Sequence, residues 1–313
     1  MRDLQRRLGA AGFASAGLPP LGEFCSETIA ALHRFQHARG LRSADVCNEE
    51  CWKALVEASW KLGDRLLVLT SPNQRGDDVA DLQGLLARLG FDCGRVDGIF
   101  GPRTARAVED FQSNCGVLAD GACGSQCVQA LNRVASQSGS GPGITTVRER
   151  EALRQAPTTL ESLRVVVGQF GGLSTITRAV AHELRIRGAM MVSLDEPDPV
   201  LQARIANEFD AHLYVGFDAV TALSSAVYFY KVPTFESFGG HTLATCLTSQ
   251  LTWCGLATDQ AQGTRVPVLR ETRMPAVLCE LAPIRLAVDS AHRIGRGVVR
   301  SIEQWMVICS LVP

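Results

Sequence analysis

The sequence predicts a multidomain chain: two small three-helix bundles followed by an α/β domain with a mainly parallel sheet. Three observations carry that reading. The first 134 residues hold one pattern twice, 76 positions apart from Gln36 to Gln112. The stretch "ASQSGSGPG" at 135–143 has no periodicity and reads as a flexible linker. From Leu163 onward short apolar runs alternate with amphipathic patterns, the order expected of a sheet covered on both faces.

Composition narrows the possible functions. At 313 residues the chain is long enough for roughly two or three cores. A hydrophobic content of 46% with 20% charged residues excludes global disorder. Lys and Arg number 31 against 32 Asp and Glu, a net charge of −1, so no basic field draws nucleic acid or anionic lipid. An aromatic content of 6% also argues against a base-stacking surface. The N-terminus, Met1 to Arg7, lacks the roughly 7–15 apolar residues of a signal peptide. No segment approaches the ~18 apolar residues that span a bilayer. The expectation is a cytoplasmic protein without a membrane span. Its 11 cysteines then read as free thiols or metal ligands.

In the second repeat, Val79, Leu82, Leu85, Leu86 and Leu89 share one helical face, and Gly90 ends that helix. Asp97-Gly98 makes a turn, a second helix carries Ala105, Val108 and Phe111, and Asp120-Gly121 makes the next turn before a third short helix ends near Leu131. The spans are 1–60 for the first module and 74–134 for the second.

"GDDVADLQGLLARLGF…VDGIFGPRTARAVEDFQ…GVLADGACGSQCVQAL" resembles the peptidoglycan-binding module, with its L-Q, D-G-x-F-G, F-Q and second D-G motifs. The first copy keeps Leu4-Gln5, Gly22-Glu23-Phe24, Thr28 and Phe35-Gln36, with Asp45-Val46 replacing the second Asp-Gly. The resemblance implies muramyl-peptide recognition, with Asp97, Gly98, Asp120 and Gly121 as binding candidates. Turn formation alone also accounts for those four residues. Both copies carry a Cys-x3-Cys pair, Cys47/Cys51 and Cys123/Cys127, one helical turn apart. Each pair is half of a four-ligand zinc site. Apolar packing is the first reading, and a metal or redox pairing the other.

In the second half, "LRVVV", "AMMVSL", "AHLYVGF", "SAVYFY" and "PAVLCEL" read as strands, with helical patterns at 175–187, 199–208, 240–253 and 287–306. The segment "TTVREREALRQ", within a linker spanning 135–160, reads as a short polar helix. From 161 to 308 the chain resembles the zinc-dependent N-acetylmuramoyl-L-alanine amidases. Arg204 and Asn207 match a middle motif with altered spacing, and Met274 to Glu280 match the last one.

A catalytic zinc takes three protein ligands and an open position for water, beside a carboxylate that accepts the water's proton. The resemblance sets Phe170 where the first ligand His belongs, Leu173, Ser174 or Thr175 where the ligand Glu belongs, and Asp218 in place of the second His. Only Glu280, the position of the general acid or base, survives, as a vestige. His182, His212, His241 and His292 sit in no ligand-pair spacing and read as structural or surface residues. The ancestral zinc is therefore expected to be lost, leaving no cofactor and a pseudo-enzyme. "VVVGQFGG" is then the shell of an active site, with Gln169-Phe170 filling the space of zinc and water.

Two peptidoglycan modules before a degenerate amidase also resemble a subgroup of this family whose members regulate peptidoglycan precursor synthesis in the cytosol. The implied partner is UDP-N-acetylglucosamine 1-carboxyvinyltransferase. The alternatives are an active cell-wall amidase, and a sensor that binds a muramyl-peptide precursor.

Overall fold

A computed structural model describes residues 1–14, 22–41, 43–136, 143–233 and 235–311. Most of the predicted linker stretch 135–143 lies outside the described residues. The chain divides into two compact units, Met1–Thr145 and Thr146–Pro313.

The first unit begins with α1 (Arg2–Ala10), α2 (Ser26–Ala38) and α3 (Glu49–Ala58). Leu4, Leu8, Leu32, Phe35, Cys51 and Leu55 form their common core. Then come α4 (Asp77–Arg88), α5 (Pro102–Cys115) and α6 (Ser125–Ala135), packed around Val79, Leu82, Leu86, Phe100, Val108, Phe111 and Leu131. Pro102 opens α5, where its missing N–H costs nothing, and Gly116 closes it at φ 69°.

Residues before 74 belong to the second module as well. Leu67 is fully buried in its core, Leu62 packs on it, and Leu67 exchanges both backbone hydrogen bonds with Cys123 at 3.2 and 2.8 Å. Arg65 stacks on Trp60 and binds the buried Asp78 carboxylate at 2.7 and 3.0 Å. The intermodule segment is therefore folded onto the second module. Arg39 reaches Asp77 at 3.0 and 2.5 Å, tying α2 to the start of α4.

The second unit opens with α7 (Ile144–Arg154), most of which lies in it. The segment assigned to a linker carries this helix because Leu153 is buried in the α/β core and Glu149 caps a later helix. β1 (Arg164–Gln169), α8 (Ser174–Ile186), β2 (Met190–Asp195), α9 (Pro199–Glu208) and β3 (Leu213–Ala219) alternate. They are followed by β4 (Ala226–Val232), β5 (Phe235–Glu236), α10 (Phe238–Trp253), β6 (Gln262–Thr264), α11 (Pro267–Glu271), β7 (Ala276–Leu281), α12 (Ile284–Asp289) and α13 (Ala291–Ser310).

The strands order as β2-β1-β3-β7-β4-β5, with β6 on β4. β1 is parallel to β2 and β3, and β3 to β7, but β4 runs antiparallel to β7 and to β5. The sheet is therefore mixed: four of its six strand pairings are parallel, β4 with β6 among them, and both antiparallel ones involve β4. The reason is chain length: the six residues between β3 and β4 are too few for the crossover that a parallel return requires. Its core combines Val165, Val167, Val215 and Phe217 from strands with Ile176, Leu184, Leu247, Ile294, Val298 and Trp305 from helices. Close packing shows at Gly295, where a Cβ would lie 2.9 Å from the backbone of Ala179.

Candidate functional site

In the second module the Asp-Gly turns are each held by a buried glutamine. The Gln83 amide donates to Asp97 Oδ1 (2.9 Å), Ile99 O (3.1 Å) and Thr104 Oγ1 (3.1 Å). Its carbonyl accepts from the N–H groups of Asp97 (3.0 Å) and Gly98 (2.8 Å). Gln112 repeats this around Asp120 and Gly121: it donates to Asp120 Oδ1 and Ala122 O, both at 2.9 Å, and accepts from Asp120 N (3.1 Å) and Gly121 N (2.9 Å). The Ala122 N–H, and then Gln112, hold the Asp120 carboxyl below its ordinary range. Positive φ at Gly98 (71°) and Gly121 (69°) supplies the rest. The four predicted binding residues thus sit at two glutamine-anchored turns at opposite ends of α5, and Asp120 is exposed.

The first module keeps the anchors. Gln5 binds Glu23 O (3.0 Å), Thr28 Oγ1 (3.1 Å) and Gly22 N (2.9 Å). Gln36 donates to Val46 O (3.2 Å) and accepts from Ala44 N (3.0 Å). These bonds set Ala44-Asp45, rather than Asp45-Val46, at the place of Asp120-Gly121. A turn glycine is absent there, as is the carboxylate that accepts the neighbouring N–H.

In the α/β unit, register aligns the amidase positions. Gln169 lies opposite Phe217, and Asp218 opposite Glu280, so Phe170, Asp218 and Glu280 form one row across the carboxyl ends of β1, β3 and β7. Carboxyl ends of parallel strands are where ligands bind in such folds. All three residues are half-buried. The Phe170 N–H donates to Phe217 O at 3.1 Å, and Asp218 Oδ1 accepts from Ala219 N at 2.9 Å. Leu173 is fully buried, while Ser174 and Thr175 are exposed at the start of α8.

Tyr228 approaches this row from β4, where Ala226 stands opposite Glu280, and sequence reading did not pick it out. It pairs with Leu278, two residues from Glu280 on the same face, and its phenol faces the Glu280 carboxylate. Burial first, and then the Glu280 charge, push the phenol up to about 12.

The loop behind the row is built from protein hydrogen bonds. Gln169 Oε1 accepts from Leu173 N at 2.7 Å, its carbonyl accepts from Gln202 at 2.8 Å, and Tyr214 donates to Gln202 at 2.7 Å. A side chain at Gly168 would collide with Gln202 and Tyr214. Gln169 therefore points into this network, leaving Phe170 alone at the ligand position. Gly171 (φ 139°) and Gly172 (φ 71°) complete the turn.

The matched motif residue Asn207 ties α9 to the segment leading from α11 into β7, donating to Glu271 O (2.9 Å) and accepting from Arg273 N (2.9 Å). Arg204 is exposed. His182 lies within α8, His292 is exposed near the start of α13, and His241 stacks on Phe229 at 4.5 Å. His212 accepts from Arg164 N at 3.0 Å, and burial, then Arg164, lower its pKa. Among the described residues no group of three or more His, Cys, Asp or Glu side chains is placed to hold a metal, and no helix is long and apolar enough to cross a membrane.

Glutamine-anchored helical modules joined to an amidase-like α/β unit define a peptidoglycan-associated protein. The putative peptidoglycan binding domain family matches residues 75–131. N-acetylmuramoyl-L-alanine amidase CwlM of Mycobacterium tuberculosis is 30% identical, over 91% of this chain and 80% of its own length. A probable N-acetylmuramoyl-L-alanine amidase of Bacillus licheniformis is 32% identical, over 40% of this chain and 39% of its own. Among solved structures, the catalytic domain of the amidase CwlV from Bacillus (Paenibacillus) polymyxa var. colistinus shares 17% identity, covering 47% of this chain and 99% of its own, with a TM-score of 0.38. The chain belongs to the CwlM-like N-acetylmuramoyl-L-alanine amidase family.

Proposed function

We propose that this protein acts by binding, as a non-catalytic regulator or scaffold of peptidoglycan precursor synthesis in the cytoplasm. The row Phe170, Asp218, Glu280 carries that reading. A phenyl ring donates no lone pair to a metal. The core side chain of Leu173 and the exposed hydroxyls of Ser174 and Thr175 replace a ligand carboxylate. Two carboxylates without a histidine are oxygen donors only, a set that suits hard cations rather than a catalytic zinc. The residues present do not fit zinc. Glu280 then has no metal-polarised water to deprotonate, and its carboxylate faces the Tyr228 phenol.

The partner proposed is UDP-N-acetylglucosamine 1-carboxyvinyltransferase, the enzyme implied by the family resemblance. Mixing the purified chain with that transferase is expected to change its rate or yield a co-eluting complex. No rate change and no complex at micromolar concentrations overturns the reading.

A second reading, an active amidase, is favoured by the juxtaposition of Asp218 and Glu280 on adjacent strands. Metal content and cleavage of the muramoyl-alanine bond separate the two. Stoichiometric zinc, with turnover abolished by Glu280→Ala, establishes the amidase and discards the regulator.

A further inference from the structure

Each module places one cysteine just before the N-cap of its third helix and another in that helix's first turn. Cys47 precedes Asn48, the N-cap of α3, and Cys51 lies in its first turn. Cys123 precedes Gly124, the N-cap of α6, and Cys127 holds the matching place. Capping brings the first pair together: Asn48 Oδ1 accepts from Cys51 N at 2.8 Å, folding the preceding residue back onto the first turn. In the second module the two-way backbone pairing with Leu67 fixes Cys123. In both, each thiol is close enough to its partner to shift the partner's ionisation, and the Cys47 thiol itself donates to Asn48 O at 3.9 Å.

Access separates the two pairs. Cys47 is half-buried above the buried Cys51, whereas Cys123 and Cys127 are both in the core, at 0% and 4% exposure. Neither pair belongs to a group of three or more potential metal ligands among the described residues. Paired thiols without further ligands suit disulfide formation better than zinc.

We propose that Cys47 and Cys51 are a reversible thiol-modification site, closing to a disulfide by exchange with low-molecular-weight disulfides such as oxidised glutathione, and that Cys123 and Cys127 are its occluded counterpart. The Cys47 thiolate attacks one sulfur of the small disulfide, whose S–S bond breaks and releases one thiolate. The Cys51 thiol loses its proton to solvent, its sulfur attacks Cys47, and the second small thiolate leaves. Two protein thiols are oxidised, one external disulfide is reduced, and the two protons end on the released thiols. The order follows from the local environment: burial pushes Cys51 up to about 12, whereas Cys47, also raised by burial, is drawn back by the adjacent Cys51 thiol. The bond closes beside the turn held by Gln36, whose amide lies 3.9 Å from Cys51 Sγ.

The test equilibrates the full chain in glutathione buffers of increasing oxidised fraction, then quenches, denatures, alkylates and maps the peptides by mass spectrometry. The peptide spanning 47–51 is expected to lose both alkylation sites together and to become two hydrogens lighter, while Cys123 and Cys127 remain reduced. Exposed Cys115 serves as the internal control and takes only a mixed disulfide. Cys51→Ser is expected to trap glutathione on Cys47. Cys47→Ser, which spares the core, is expected to leave Cys51 reduced. Full alkylation of Cys47 and Cys51 across the series, a persistent glutathione adduct in the unsubstituted chain, or Cys123 and Cys127 oxidising in step with them overturns the proposal.

Discussion

Replacing Gln83 with leucine tests whether the buried glutamine, rather than the Asp-Gly dipeptide itself, holds the first turn of the second module. The substitution keeps side-chain volume and removes five hydrogen bonds. At a net ~0.5–1.5 kcal/mol each, their simple sum is about 2.5–7.5 kcal/mol. Several partners retain a second bond: Asp97 N also reaches Arg95 O, Asp97 Oδ1 keeps Ile99 N, and Thr104 keeps Ile99 O. That sharing brings the expected loss to about 3 kcal/mol, a large part of a small domain's ~5–15 kcal/mol. Gln5→Leu in the first module removes at least three bonds, two of them to exposed backbone, and should cost about 1 kcal/mol. Urea unfolding of fragment 1–145, followed by circular dichroism, measures both. With a slope of ~1–2 kcal/mol per molar, Gln83→Leu lowers the midpoint of the second module by about 2 M. A loss below about 0.5 kcal/mol, or a larger loss for Gln5→Leu, refutes the argument that burial of the anchor sets its worth.

Glu149 accepts from Ser237 Oγ (2.6 Å), Phe238 N (3.1 Å) and Gly239 N (3.3 Å) at the start of α10, so Glu149→Ala is expected to cost about 0.5–2 kcal/mol in fragment 144–313. Fragment 160–313, which also lacks the buried Leu153, should lose a further ~2–5 kcal/mol and melt well below 144–313; equal melting temperatures sink that account. Glu280→Gln removes the negative charge beside Tyr228, and its phenol should ionise below about 12 in an alkaline absorbance titration. The sign follows from the raised folded value: Tyr228 contributes its stability fully below the phenol's unfolded pKa and loses it as pH rises toward about 12, so Glu280→Gln narrows that window. An unchanged titration means that Glu280 does not face Tyr228.

The row at the strand ends was legible in the sequence because motif spacing carries register: in parallel strands, matching Gly171-Gly172 and Met274 to Glu280 to their motifs brings the two ends together. Tyr228 escaped because its neighbour across the sheet depends on β4 running antiparallel, and a short apolar run does not state its direction. Periodicity likewise identified the helices around Phe35 and Phe111 but not the buried Leu67, one of four consecutive apolar residues, or Leu153, an apolar residue among charged ones; distant partners decide the burial of both. The glutamines were visible as motif letters. Their role was not, since Gln83 acts on residues 14 to 21 positions away, beyond any local rule of capping or turn chemistry.

The loop Gln169 to Leu173 is held by side chains from outside its own turn. The Gln169 side chain accepts from Leu173 N, Gln202 donates to Gln169 O and Tyr214 donates to Gln202, a chain of buried groups. Two of its members lie on β3 and α9, so the loop is braced by the sheet and a helix rather than by its own turn. Its shape therefore does not depend on what Phe170 replaces. Substitutions at Phe170 and Asp218 are expected to alter what the strand ends bind while leaving the sheet folded, whereas Gln202, fully buried behind the loop, is the residue whose loss would collapse it.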